Sequence, residues 1–312
     1  MKHFTKLTAL LLVLAMAWCM TACSAPKQEA AVAEEKPAET ETVKEPAAEA
    51  PAAEVPAEEP APEPAEEPVE LIVFAAASMT ETLQQLEAKY KEIAPNVKLV
   101  FNFDSSGTLK KQIQEGADCD VFISAGQKQV NQIDGSKDAD GGNTEGLDLV
   151  LQGSRINLLE NKVVLCVPES NPKGIDSFDK WAELMKNGDI LFAMGNSDVP
   201  VGQYTQQIIE YYGMNEEELA NAGKITYGSN VKEVTTQVKE GSVDAGVVYC
   251  TDAFSAGLTV VDQATKDMCK RIVYPACIIN TSKNPDAAQK YLEFLQSDAA
   301  MEVFSAVGFV AP

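Results

Sequence analysis

The sequence predicts an α/β protein, and two observations predict it. Across residues 71–312, short apolar runs of strand length alternate with segments of helical period. Most apolar runs also end in Ser, Asp, Asn or Pro, residues that start helices. Strands are expected at 71–75, 97–103, 120–124, 163–167, 189–193, 224–227, 245–249, 258–261 and 272–280. Helices are expected at 79–93, 108–115, 127–133, 177–187, 202–212, 231–240, 285–296 and 298–306. Such alternation implies parallel sheets covered by helices on both faces. Residues 134–153 are polar and rich in Gly and Asp, so they read as a loop region.

The N-terminus precedes this pattern and differs from it. Lys2 and Lys6 are followed by an apolar run from Leu7 to Met20, too short for a comfortable membrane span. The run ends in Met20-Thr21-Ala22-Cys23, small residues before a Cys, which resembles the lipobox of bacterial lipoproteins, with Met20 where Leu is usual. Residues 1–22 are therefore expected to be a lipoprotein signal peptide, and Cys23 the lipidated first residue of an extracytoplasmic, membrane-anchored protein. Residues 24–70 are almost entirely Ala, Glu, Pro, Val, Lys and Thr, with fourteen Glu and three Lys, a net charge of −11. Such a segment cannot bury a core, and residues 23–70 read as a disordered tether with a reach on the order of 100 Å. Half of the whole-chain charge of −22 lies in that tether, so the acidity says little about the folded part and argues against nucleic acid.

Composition also excludes chemistry. The only His is His3, inside the signal peptide, so the mature chain offers no imidazole base or ligand and no Ser-His-Asp triad. Cys119, Cys166, Cys250, Cys269 and Cys277 show no C-x-x-C spacing and suggest neither a metal site nor a disulfide framework. Cys119 and Cys166 sit in strand-like runs and read as buried small hydrophobes, while a Cys269–Cys277 pair is an open alternative. No Walker A motif and no G-x-S-x-G elbow is present, so neither ATP hydrolysis nor esterase chemistry is expected.

Four strand-to-helix corners and one strand end remain as candidates. Ser78-Met79-Thr80-Glu81 has capping-box spacing, with Ser78 at the N-cap. The second corner is Asp104-Ser105-Ser106-Gly107-Thr108, where Asp104 is expected to cap the helix. The third, Asp198-Val199-Pro200-Val201-Gly202, puts Pro before a helical run, and the fourth pairs Asn230 with Glu233 at capping-box spacing. The strand 245–249 ends in Tyr249. Each corner alone is an ordinary helix start. Together, hydroxyls and free N–H groups at helix N-termini can form an anion site without any charged residue. Ligands of open α/β sheets bind outside the carboxyl ends of the strands, where these corners lie.

Phe74-Ala75-Ala76-Ala77-Ser78-Met79-Thr80, Phe103-Asp104-Ser105-Ser106-Gly107-Thr108-Leu109 and Asp120-Val121-Phe122-Ile123-Ser124-Ala125 resemble the molybdate-binding proteins of ABC transporters. So do Val199-Pro200-Val201-Gly202-Gln203-Tyr204, Gly246-Val247-Val248-Tyr249 and Val273-Tyr274-Pro275, in the same order across 71–312. The resemblance implies a periplasmic-binding-protein-like fold: two α/β lobes with a ligand cleft between them and hinge-crossing strands. Lobe one would be 71–153 plus 273–312 and lobe two 154–272. It implies five ligand-binding residues: Ser78 and Ser106 through their hydroxyls, Val201 and Val231 through their backbone N–H groups, and Tyr249 through its phenol. Val201 stands where the family often has Ala, Asp104 where a small neutral residue is common, and Gly126 where Asp is usual.

The implied function is that of an extracytoplasmic substrate-binding lipoprotein of an ABC importer, a monomer that works with a membrane permease and a separate ATPase. Its ligand would be molybdate or tungstate, with no cofactor and no metal apart from the oxyanion. A tetrahedral dianion has acceptors only, so O–H and N–H donors satisfy it. Hydrogen phosphate carries a proton that such a pocket does not accept. A binding protein of the same fold for sulfate, another oxyanion or tungstate only is the alternative. An adhesive surface lipoprotein would respond to no ligand.

Overall fold

Two five-stranded mixed sheets organise the chain, as seen in a computed structural model that describes residues 67–312. These residues fall in one unit that begins at Glu63. The expected signal peptide, Cys23 and most of the expected tether lie outside the described residues. The tether expectation ran to residue 70, but Val69 and Glu70 already belong to the first strand.

The chain runs β1 (Val69–Ala76), a 3-10 turn (Ala77–Met79), α1 (Thr80–Ile93), β2 (Val97–Asp104), α2 (Ser106–Gln114), β3 (Val121–Ile123), α3 (Gln127–Asn131) and β4 (Ile156–Asn161). It continues with β5 (Val163–Val167), α4 (Phe178–Asn187), β6 (Phe192–Gly195), α5 (Pro200–Tyr211), α6 (Glu216–Asn221), β7 (Ile225–Gly228) and α7 (Val231–Lys239). It ends with β8 (Ala245–Tyr249), α8 (Cys250–Ala256), β9 (Thr259–Gln263), β10 (Ile272–Ile278), α9 (Pro285–Leu295) and α10 (Asp298–Ala306). The first sheet has the order β2-β1-β3-β10-β4 and the second β7-β6-β8-β5-β9.

The sheets are mixed rather than parallel. β1 pairs in parallel with β2 and β3, but β10 runs antiparallel to β3 and β4. In the second sheet β6 is parallel to β7 and β8, while β5 is antiparallel to β8 and β9. The reversals come from the chain crossing between sheets twice, at Asn161–Val163 and between Gln263 and Ile272. Since β4 pairs with β10 in the first sheet, the first crossing falls after Asn161 and not at the expected boundary of 153/154.

The core follows from period-2 and period-3.6 burial. All five residues of β5 and all seven of β10 are buried, so both strands are covered on two faces, as continuous apolar runs require. In α4, Phe178, Trp181, Ala182 and Met185 form one buried face, and the Trp181 ring packs 5.0 Å from that of Phe192 on β6. Trp181 is fully buried, and truncating such a side chain typically costs about 3–5 kcal/mol. Cys119 and Cys166 are buried as expected, and the five described cysteines are free, so Cys269 and Cys277 are not paired.

Register decides where the corners fall. In the first sheet Ala76 lies opposite Asp104, so β1 and β2 end at the same edge. In the second sheet Gly195 lies opposite Gly228, and Ala193 opposite Gly246, so β6, β7 and β8 end together. The segments that follow these strands carry Ser78, Ser106, Val201 and Val231, and Tyr249 is the last residue of β8.

Candidate functional site

Those five residues line one small chamber, together with Ala76, Ala77, Asp104, Ser105, Ala125, Val199 and Pro200. Its volume is about 10 Å³. Pockets for drug-sized organic molecules hold roughly 300–1,000 Å³, so this chamber excludes them; its free space is about that of one water. All five side chains are buried. Ser78 and Ser106 come from the first sheet's corners; Val201, Val231 and Tyr249 come from the second.

Ser78 does not cap α1. It sits in the 3-10 turn, which delays the helix, and the N-cap position falls to Met79 with no side-chain bond. Thr80 donates to the carbonyl of Ala77 and holds the turn at 2.8 Å. The expected capping box is therefore absent: Glu81 pairs with Lys232 instead, and the Ser78 hydroxyl bonds to Tyr274 Oη at 2.9 Å. Asp104 does not cap α2 either. Ser105 is the N-cap and accepts from Thr108 N, while Asp104 Oδ1 accepts from Ser105 N. A cap one residue later leaves Ser106 as the first helical residue, its Oγ accepting the backbone N–H of Ala125 at 2.9 Å. A hydroxyl that accepts from a backbone N–H keeps its own proton for another acceptor.

The main-chain donors arise from helix geometry. Pro200 occupies the first position of α5 and Val201 the second, an N–H with no intrahelical acceptor. In α7 the Asn230 side chain caps Lys232 N and Glu233 N, which leaves Val231 N. Neither Val201 N nor Val231 N has a protein acceptor among the described residues. Glu233 accepts from Ser229 N and Oγ, one residue before the expected box partner. The Tyr249 phenol lies 3.4 Å from the carbonyl of Ala125, a long contact across the two lobes. Burial, the dominant cause, pushes Tyr249 well above its ordinary value, so it stays a neutral O–H donor.

The lobes meet at this chamber. Lys111 on α2 pairs with Asp198 at 2.5 Å, and Lys232 on α7 pairs with Glu81 on α1 at 2.7 Å. A side chain on Gly107 would overlap the carbonyl oxygen of Asp198, and one on Gly126 would come within 3.3 Å of Pro200. Gly126 thus allows close approach of the two lobes at the rim. The contacts of Gly107 and Gly126 with Asp198 and Pro200 carry no local sequence signal; they arise from long-range packing.

Behind the chamber lies Asp252, fully buried on α8. Lys232 Nζ is 3.2 Å from its Oδ1 but off hydrogen-bond alignment, so the pair is ionic and both carboxylate oxygens lack a hydrogen-bond partner in the described structure. Burial pushes Asp252 from 3.8 up to about 6, against the pull of Lys232. Stability linked to this group is fully present below the unfolded value and is lost as pH rises through about 6. Asp252→Asn removes this dependence but also the partner of Lys232, so the stability of the variant relative to the wild type should rise between pH 4 and pH 8. Thermal unfolding of both proteins across that range checks it; a difference independent of pH would contradict the assignment.

A family model described as bacterial extracellular solute-binding protein matches residues 71–310. The chain is 34% identical over 245 residues to YvgL of Bacillus subtilis (strain 168), named as an ABC transporter substrate-binding lipoprotein, covering 78% of this chain and 87% of that one. It is 31% identical over 248 residues to the molybdate-binding protein ModA of Haemophilus influenzae, covering 78% and 90%. Among solved structures, the substrate-binding domain assigned to a molybdenum ABC transporter of Clostridium difficile superposes with a TM-score of 0.57 at 32% identity, over 78% of this chain and 99% of that domain.

Proposed function

The chain belongs to the bacterial extracellular solute-binding proteins, the substrate-binding components of ABC transporters and not enzymes, and from that premise we propose that it binds molybdate or tungstate in the chamber between its lobes. The ligating groups are the hydroxyls of Ser78, Ser106 and Tyr249 and the N–H groups of Val201 and Val231. One observation carries this reading: donors from five separate chain segments line one small buried chamber. The N-termini of α5 and α7 add partial positive charge. Molybdate and tungstate share charge and shape, so both are taken as cargo. The closed protein delivers the anion to a membrane permease driven by a separate ATPase. Lipid on Cys23 holds the protein, as a monomer, at the outer face of the membrane.

Thermal unfolding with molybdate, tungstate, sulfate or phosphate at equal concentration tests the cargo. A ligand at a hundredfold its Kd adds about 2.7 kcal/mol. Stabilisation by molybdate and tungstate alone is expected. Asp104 on the chamber wall favours one second reading, a protonated oxyanion whose proton the carboxylate accepts. Stabilisation by phosphate instead of molybdate would select it.

A further inference from the structure

We infer that Asn161 and Tyr274 are positioning residues that aim the Ser78 proton into the chamber, making the first lobe's hydroxyl an obligate donor to the anion. The inference rests on the reading of Ser78 as an anion ligand. Its basis is a buried hydrogen-bond chain in which Ser78 Oγ is the acceptor available to the Tyr274 phenol proton among the described residues.

Asn161 ends β4, where the chain first crosses between lobes. Its Oδ1 accepts the backbone N–H of Lys162 at 2.8 Å and faces the Cys250 thiol at 3.1 Å. A backbone N–H can only donate, so the amide cannot be flipped, and Nδ2 must point the other way. Nδ2 lies 3.0 Å from Thr251 Oγ1 and 3.1 Å from Tyr274 Oη. Tyr274 Oη therefore accepts from Asn161. Tyr274 is fully buried, and burial, the dominant cause, pushes its phenol well above the ordinary value, so it carries a single proton. The other partner of that oxygen is Ser78 Oγ at 2.9 Å. The phenol proton goes to Ser78, and Ser78 is left to donate elsewhere. The open direction is the chamber that Ser78 lines.

Ring packing holds the chain in place. Tyr274 stacks edge-on with Tyr249 at 5.7 Å and with Phe309 at 5.2 Å. The relay thus runs from the crossing strand through β10 to the corner after β1. It supplies from side chains what Ala125 N supplies to Ser106 from the main chain. Each serine thus already accepts one hydrogen bond, Ser106 from a backbone N–H and Ser78 from the Tyr274 phenol, and its own proton is free for the anion.

Asn161→Asp tests the direction while keeping the shape. The new carboxylate accepts from Tyr274, Tyr274 then accepts from Ser78, and the Ser78 proton turns away from the ligand. By calorimetric titration at pH 8, molybdate affinity should fall at least about tenfold, since a hydrogen bond to a charged group is worth roughly 1.5–3 kcal/mol. The same substitution in a Ser78→Ala background separates the relay from simple charge repulsion. An effect that disappears there supports the relay; an equal loss in both backgrounds, or no loss in either, overturns it. Tyr274→Phe cuts the chain without adding charge and serves if the acid disturbs folding; it should also weaken molybdate binding, and wild-type affinity in that variant would overturn the relay. A wild-type protein that binds no tetrahedral oxyanion would instead overturn the reading of the chamber itself.

Discussion

Gly107→Ala should weaken molybdate binding by about 5- to 150-fold while the protein stays folded. Gly107 is the second residue of α2, and the atom it would gain overlaps the carbonyl oxygen of Asp198, with the Asp198 carbonyl carbon at 3.0 Å. That carbonyl is backbone on the opposite lobe, so no side chain can swing aside. The clash exists only when the lobes meet. With the lobes parted, Ala in a helix is favoured over Gly by on the order of 0.5–1 kcal/mol. The substitution therefore shifts the population toward the open form, and apparent affinity falls by the fraction of closed protein lost. Titration with molybdate alongside thermal unfolding without ligand separates the two effects. Unchanged affinity would mean that the bound lobes do not approach at this contact.

Ser78→Ala and Ser106→Ala should each lower molybdate affinity by about 10- to 150-fold, from the loss of a hydrogen bond to a charged ligand. Their side effects differ. Ser106→Ala leaves the Ala125 N–H without its acceptor in a fully buried place, so the protein also loses about 1–3 kcal/mol of stability without ligand. Ser78→Ala removes the acceptor of Tyr274, whose oxygen still receives Asn161 Nδ2, and the stability loss is smaller. Binding and unfolding measured on both variants check the pattern. Full affinity in either variant would remove that serine from the ligand set.

The corners were legible because their signals are local. An apolar run followed by Ser-Ser-Gly, Pro-Val-Gly or Asn-Val-Lys-Glu marks a strand end and a helix start, and parallel register then brings such ends to one sheet edge. The 3-10 turn at Ala77–Met79 was not legible, since Ser78 and Glu81 have the spacing of a capping box. Only the long-range partners, Tyr274 for Ser78 and Lys232 for Glu81, decide against it. β4 escaped notice because Ile-Asn-Leu-Leu-Glu-Asn breaks strict alternation, and its place depends on pairing with β10, more than a hundred residues on. α8 begins directly after β8 with no polar N-cap, Tyr249 occupying that position without a side-chain bond. α6 did carry signals, an Asn215 cap and three Glu in its first turn, but its six residues are too few for a helical period to register. The antiparallel strands follow from the two crossings, which local pattern does not encode.

Asp252 is a buried carboxylate beside the lysine that reaches across the cleft to Glu81. Lys232 is lowered by burial but held above its ordinary value by Asp252 and Glu81, so it stays charged. The exposed bridges at the lips contribute little to stability, on the order of 0–1 kcal/mol each, and weaken with salt. They hold the two lobes together only marginally.

A crystal structure of the protein with tungstate, a strongly scattering ion, tests the central claim most directly. The account predicts one tungstate in the chamber, with its oxygens within hydrogen-bond distance of Ser78 Oγ, Ser106 Oγ, Tyr249 Oη, Val201 N and Val231 N, and with Asp104 facing away. Tungstate seated elsewhere, or held against the Asp104 carboxylate with these donors unused, would contradict it.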